Sequence, residues 1–169
     1  MYYLVIRQFA RTLKNLDACL AKAQKYAEGR GFDVNNMVQA RLAPDMLPFV
    51  AQIRIACDNA KMAAANLSGK PAPKHEDTET TFEELRGRIG KALAFIDTLS
   101  EADFAKVSAD QTIKLQYPPG KGLRANDYIV GRQIPNFYFH VATAYDILRS
   151  NGVDIGKGDY LGDLPLIDA

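Results

Sequence analysis

The chain has only two cysteines and two histidines, carries almost no net charge and contains no long apolar run, and each shortage removes a class of function. Cys19 and Cys57 lie far apart with no Cys-x-x-Cys spacing, which excludes a redox pair or zinc knuckle and leaves two small buried thiols. With His75 and His140 alone, a site built on three or four imidazoles cannot be assembled. The Glu-x-x-His motifs that a di-iron bundle places on two helices are absent as well. The formal net charge is +1 and the basic residues are scattered, so no nucleic-acid partner is expected. The longest apolar runs fall far short of a bilayer span, and the opening residues Met1 to Arg7 lack a basic region followed by a secretory apolar core. No membrane association is therefore expected, and a cytoplasmic location is the default. Gly120-Lys121-Gly122 has neither Walker spacing nor a following Ser or Thr, so no phosphate loop is present.

What remains is an ordinary globular composition, 47% hydrophobic and 24% charged over 169 residues, enough for one domain spanning 1–169 and too little for two. Val5, Phe9, Leu13, Leu16, Leu20, Ala23 and Ala27 recur in steps of three and four, which predicts a first helix from Tyr2 to about Glu28, stopped by Gly29 and Gly31. Asp33 can cap a short helical piece. A second helix is expected from near Pro44 to near Leu67, with Met46, Phe49, Ile53, Cys57, Ala60 and Ala64 inward and Pro44 in its first turn. Thr80-Thr81-Phe82-Glu83-Glu84 offers a hydroxyl cap with glutamate at N3, opening a third helix that ends near Leu99, and Ser100 starts a further brief turn. Thr112 to Tyr117 alternates like a strand before the turn residues Pro118 to Gly122, so a small hairpin or irregular insertion is expected there. The last long helix should take Asp127 or Gly131 as its start, or begin near Gln133 or Ile134 if Pro135 is to lie in its first turn, and run to about Ser150, ending at Asn151-Gly152. The glycine-rich tail from Val153 must pack as a strap or lie partly loose. The fold class is all-α: a four-helix bundle with a small insertion before the last long helix.

The candidate pocket is Asp45, Gln52, Asn136 and His140. Asn136 and His140 are four apart on an otherwise apolar and aromatic segment, so they share a helix face. If that face turns inward they need polar partners, and Asp45 and Gln52, seven apart on the second helix, are the best available. An Asp45–His140 pair would raise the imidazole pKa and suit either a general base or a purely structural bond. No nucleophile with an arguable position accompanies them. His75 is expected on an exposed loop. Arg54, Asp58 and Lys61 are spaced for a solvated ion-pair face or for lining the same cleft. Glu79 and Glu83 are explained by capping and solvation, and Arg149 is expected to reach Asp154 or Asp159 in the tail.

The chain is similar to a family of uncharacterised bacterial proteins in the DinB/YfiT-like four-helix-bundle superfamily. The resemblance rests on Ala40 to Met46, Gln52 to Lys61, Glu79 to Leu85, Pro135 to His140, Tyr145 to Arg149, Asn151 to Val153 and Asp159 to Gly162, which together span nearly the whole chain. Many members of that superfamily look like metalloproteins, with one histidine from the second helix and a His-x-x-x-His pair on the last. The matching positions here are Asn136 and His140, with Asp45 or Gln52 in place of the second-helix histidine. The resemblance therefore implies a lost metal centre and no cofactor, and the polar cluster without a complete catalytic set points to a non-catalytic or cryptically active bundle that binds a small molecule or forms a homodimer through an apolar face. The alternative is an enzyme with a degenerate site in which Asp45, Asn136 and His140 hold a divalent metal such as Ni or Zn.

Overall fold

The computed structural model describes residues 1–168. Helix α1 (Tyr2–Arg30) buries the expected stripe of Phe9, Leu13, Leu16, Leu20, Ala23 and Ala27, and adds Ile6 and Cys19. Gly31 ends it at φ 72°, a left-handed position where a side chain would be strained, with the amides of Gly31 and Phe32 bonded back to Glu28 and Ala27. The Asp33 carboxylate then caps a 3₁₀ turn, Val34–Met37, by accepting the Asn35 N–H at 2.9 Å.

Helix α2 (Phe49–Ser68) begins five residues later than the spacing predicts. Pro48 is the residue that decides this: its ring disfavours helical backbone at Leu47, so the helix cannot extend back to Pro44. Pro48 becomes the N-cap in an extended conformation. The first amides of α2 are satisfied from outside, Phe49 N–H by the Ala40 carbonyl at 2.8 Å and Val50 N–H by that of Val38 at 3.1 Å. Helix α3 (Phe82–Asp97) starts from a capping box in which the Thr81 hydroxyl accepts the Glu84 amide and Glu84 reaches back. The single-turn helix α4 (Glu101–Phe104) opens on Ser100, whose amide and hydroxyl both donate to the Asp103 carboxylate, at 2.7 and 2.9 Å.

Strands β1 (Thr112–Lys114) and β2 (Gly122–Arg124) form the expected hairpin, antiparallel, with Ile113 opposite Leu123. A π-helical turn over Asp127–Gln133 then runs straight into helix α5 (Ile134–Ser150). Pro135 accounts for this join: it donates no N–H and its ring crowds the carbonyl four residues earlier, and the wider π turn carries that carbonyl clear. Helical backbone thus begins at Asp127, the earliest of the expected starts, and turns α-helical at Ile134.

The four long helices pack with α1 against α2, and α3 and α5 each bridging both. The apolar core is one continuous cluster. Two aromatic stacks hold it, Phe9 on Phe137 at 4.2 Å and Phe49 on Phe82 at 5.2 Å between ring centroids. Beyond Gly152 the tail turns back as a strap ending in the short helix α6 (Lys157–Leu161), which lies along α1. Lys22 pairs with Asp159 at 2.6 Å, Asn15 donates to the Tyr160 carbonyl at 3.1 Å and Arg11 to that of Leu161 at 3.0 Å. Arg149 does not reach Asp154 or Asp159; it donates to the Val153 carbonyl instead. No helix is long and apolar enough to cross a membrane among the described residues.

Candidate functional site

Helices α2 and α5 run antiparallel and share a seam of polar side chains set into the apolar core. At one rung the Asn136 amide donates to the Asn59 carbonyl oxygen at 2.9 Å, and Asn59 donates in turn to the Ile55 carbonyl at 3.0 Å. At the next rung His140 Nδ1 meets Gln52 Oε1 at 2.7 Å. Gln52 fixes the roles there. Its Nε2 donates to the Leu47 carbonyl at 3.0 Å, so Oε1 is the atom turned to the ring and Nδ1 must carry the proton. Gln52 and His140 are both buried.

Of the four residues singled out by sequence, the structure brings together Gln52 and His140, and places Asn136 one turn away on Asn59. Asp45 is not brought to them: it is exposed, in the loop ahead of α2, because that helix starts at Phe49. The raised pKa expected from an Asp45–His140 pair is accordingly replaced by the opposite shift, since burial pushes the His140 imidazole below its ordinary value of 6.5. The sign for stability follows. The unfolded chain takes up the proton first, so the native state loses stability as pH falls below 6.5 toward the depressed value. Nitrogen-15 NMR of the full chain should show neutral His140 protonated on Nδ1 and titrating below 6.5; a midpoint at or above that value refutes the assignment.

Asn136 also faces a cleft that His140 does not line. This cleft, of about 340 Å³, opens between α2, strand β1 and the π turn. Ile55, Met62 and Leu115 give it an apolar part, and its polar wall is Asn59, Asn66, Gln133 and Asn136 around the Tyr128 phenol. In a π turn residues five apart stack over one another, which places Gln133 over Tyr128. The phenol oxygen accepts Asn66 Nδ2 at 2.8 Å and also accepts Gln133 Nε2. Burial pushes the Tyr128 pKa up although both amides oppose the shift, so the phenol stays protonated. Asp58, Lys114, Gln116 and Arg132 complete the rim.

Behind the cleft lies an ion network that includes Arg54, Asp58 and Lys61, whose spacing is expected to form ion pairs, but is centred on Arg88, which sequence did not single out. Arg88, fully buried, donates to Glu79 Oε1 at 3.0 Å, to the Glu76 carbonyl at 3.0 Å and to Asp58 Oδ2 at 2.9 Å. Arg54 Nε holds the other Glu79 oxygen at 2.8 Å, and Lys61 holds Asp58 at 2.8 Å. Glu79 is thus a buried partner of two arginines and not a solvated capping residue; Glu83 is exposed. His75 departs from the expected exposed loop position as well, being half-buried with its pKa pushed down by burial and then by Lys61 and Arg88. Cys19 and Cys57 are buried free thiols, and burial pushes the Cys57 pKa up to about 12. Among the described residues no three His, Cys, Asp or Glu side chains form a group able to hold a metal ion.

Four long helices, a hairpin ahead of the last and a buried polar cluster between the second and last define the class: a DinB-like four-helix bundle. The family model named Domain of unknown function (DUF1993) matches residues 1–161, and the chain belongs to that family, within the DinB/YfiT-like superfamily. It is similar to a solved structure, the crystal structure of a DinB family member protein from Shewanella denitrificans at 1.83 Å resolution. The two share 44% identity and a TM-score of 0.93 over 99% of this chain and 95% of that one. No curated protein matches the chain.

Proposed function

We propose that residues 1–169 form a single domain that holds a small molecule in the cleft between α2, β1 and the π turn, without transforming it. The observation that carries this reading is the wall of four carboxamides around one phenol, on a cavity of a size that small-molecule sites use. Carboxamides recognise donors and acceptors alike, yet neither take up nor release protons near neutral pH. The titratable groups of the cleft lend support, because Asp58 is tied to Arg88 and Lys61 and the Tyr128 phenol is held protonated. No nucleophile stands beside a base there, and His140, on the neighbouring rung, serves to hold α5 on α2. The reading as a divalent-metal enzyme is weakened by its ligand set, since Asp45 stands outside the seam and an amide and one imidazole remain. Buried, unpaired Cys19 and Cys57 accord with a cytoplasmic setting.

A homodimer is the second reading. It is favoured by an apolar groove of about 260 Å³ between α1 and α5, beside which Met1 and Leu4 stand 65% and 68% exposed. Native mass spectrometry against a small-metabolite library tests both readings in one set of spectra. A bound small molecule on the wild-type chain, lost in Asn66→Leu, is the expected result. A ligand present at about a hundred times its Kd should also stabilise the fold by ~2.7 kcal/mol. A chain that retains no compound from the library overturns the binding reading, and a single-chain mass at every concentration removes the dimer.

A further inference from the structure

We infer that the molecule held in the cleft carries a carboxylate, bound at the end of the cleft formed by Arg132 and the Tyr128 hydroxyl. The inference rests on the small-molecule reading above and names the ligand class. Arg132 is the first observation. Among the described residues every other arginine is engaged: most hold a carboxylate or a backbone carbonyl, and Arg30 lies over the Tyr26 ring. Arg132 makes only a long 3.4 Å bond to the Gln133 amide oxygen, although it is half-buried and lines the cleft. A guanidinium presents a planar fork of donors that matches a carboxylate, and desolvating it without an acceptor is unfavourable.

Tyr128 is the second, independent observation. Its oxygen already accepts two amide N–H groups, so its own proton is turned to neither of them and remains to be donated. Arg132 reinforces this arrangement by holding the Gln133 oxygen, which keeps the Gln133 N–H group on the phenol. Lys114, on β1, adds a second cation at the rim with no carboxylate within ion-pair distance among the described residues. The donors at this end therefore outnumber the acceptors. Asp58, in the same cleft, is already held by Arg88 and Lys61 and so does not engage Arg132, whose planar fork is left to match the two oxygens of a carboxylate. The unengaged oxygens of Asn66 and Asn136 suit a neutral N–H group on the same molecule.

Calorimetry of the full chain with N-acetylglycine, with N-acetylglycinamide and with inorganic phosphate tests the assignment. N-acetylglycine is expected to bind about tenfold more tightly than the uncharged amide, and Arg132→Gln should abolish the difference while leaving the melting curve unchanged. Equal binding of acid and amide, no effect of Arg132→Gln, or preference for phosphate overturns the carboxylate. If Asn66→Leu still abolishes binding in those cases, the cleft reading survives. Absence of binding by all three probes overturns the carboxylate, and the library screen then decides the cleft reading separately.

Discussion

Replacing Arg88 with methionine is expected to cost about 3–5 kcal/mol of folding stability, measured by urea denaturation at neutral pH. The side chain is fully buried, and its removal strands the Glu79 carboxylate, which is itself 8% exposed, with Arg54 as its only cation. It also releases Asp58 and the Glu76 carbonyl, so the segment between α2 and α3 loses the Arg88 tie to α3 and keeps only the Arg54 tie to α2 through Glu79. Methionine fills much of the volume but supplies no donor, and the loss comes from groups left without a partner. The acid limb gives a second readout. Burial alone would raise the Glu79 pKa, but its hydrogen bonds, above all the backbone one and those from Arg88 and Arg54, hold it below its ordinary 4.5. A depressed carboxylate contributes stability above that value and loses it as pH falls through it toward the native pKa. Wild type should therefore weaken below pH 4.5, and Arg88→Met should show a smaller drop there. A variant within about 1 kcal/mol of wild type would mean that the network is incidental to stability.

Phe137→Ala is expected to cost a comparable ~3–5 kcal/mol. Phe137 is fully buried, stacked on Phe9 at 4.2 Å and met edge-on by Tyr138 at 5.2 Å. The cavity opens where α5 leaves the π turn, and the neighbouring residue is Asn136, whose bond to Asn59 closes the polar seam. Phe137→Leu, which keeps most of the volume, should recover about half of the loss. Stability by denaturation and ligand retention by native mass should fall together. Full retention of a ligand in a strongly destabilised Phe137→Ala would show that packing beneath the seam does not set the cleft.

Sequence legibility divides along a physical line. Features written in neighbouring residues were readable: the three-four stripe of α1, the Thr81–Glu84 box of α3, the alternation that becomes the hairpin. The need for a partner was readable too, since an apolar helix that carries a histidine requires one on the facing helix, and Gln52 was one of the two candidates, although the expected pair was with Asp45. What escaped depends on where separate elements meet. Tyr128, Arg132 and Asn66 sit on different turns, and the π register that stacks Gln133 over Tyr128 has no periodicity signal beyond Pro135 itself. Asp45 was misplaced because Pro48 moved a helix start. Arg88 did leave a trace: it falls three residues after Leu85 and four before Ala92, on the buried stripe of α3, and an arginine there requires carboxylates nearby.

The strap sets the order in which the molecule can close. Arg11 and its partner Leu161 are 150 residues apart, so α1 is synthesised long before the segment that lies along it exists. Until then α1 can pack on α2 and α3, but one side of it stays open to water and to other chains. Contacts spanning that distance come late and slow the final step of folding. On the ribosome the bundle waits for its own last turn, and a nascent chain halted before Lys157 would hold three helix partners for α1 and lack the fourth element that covers it.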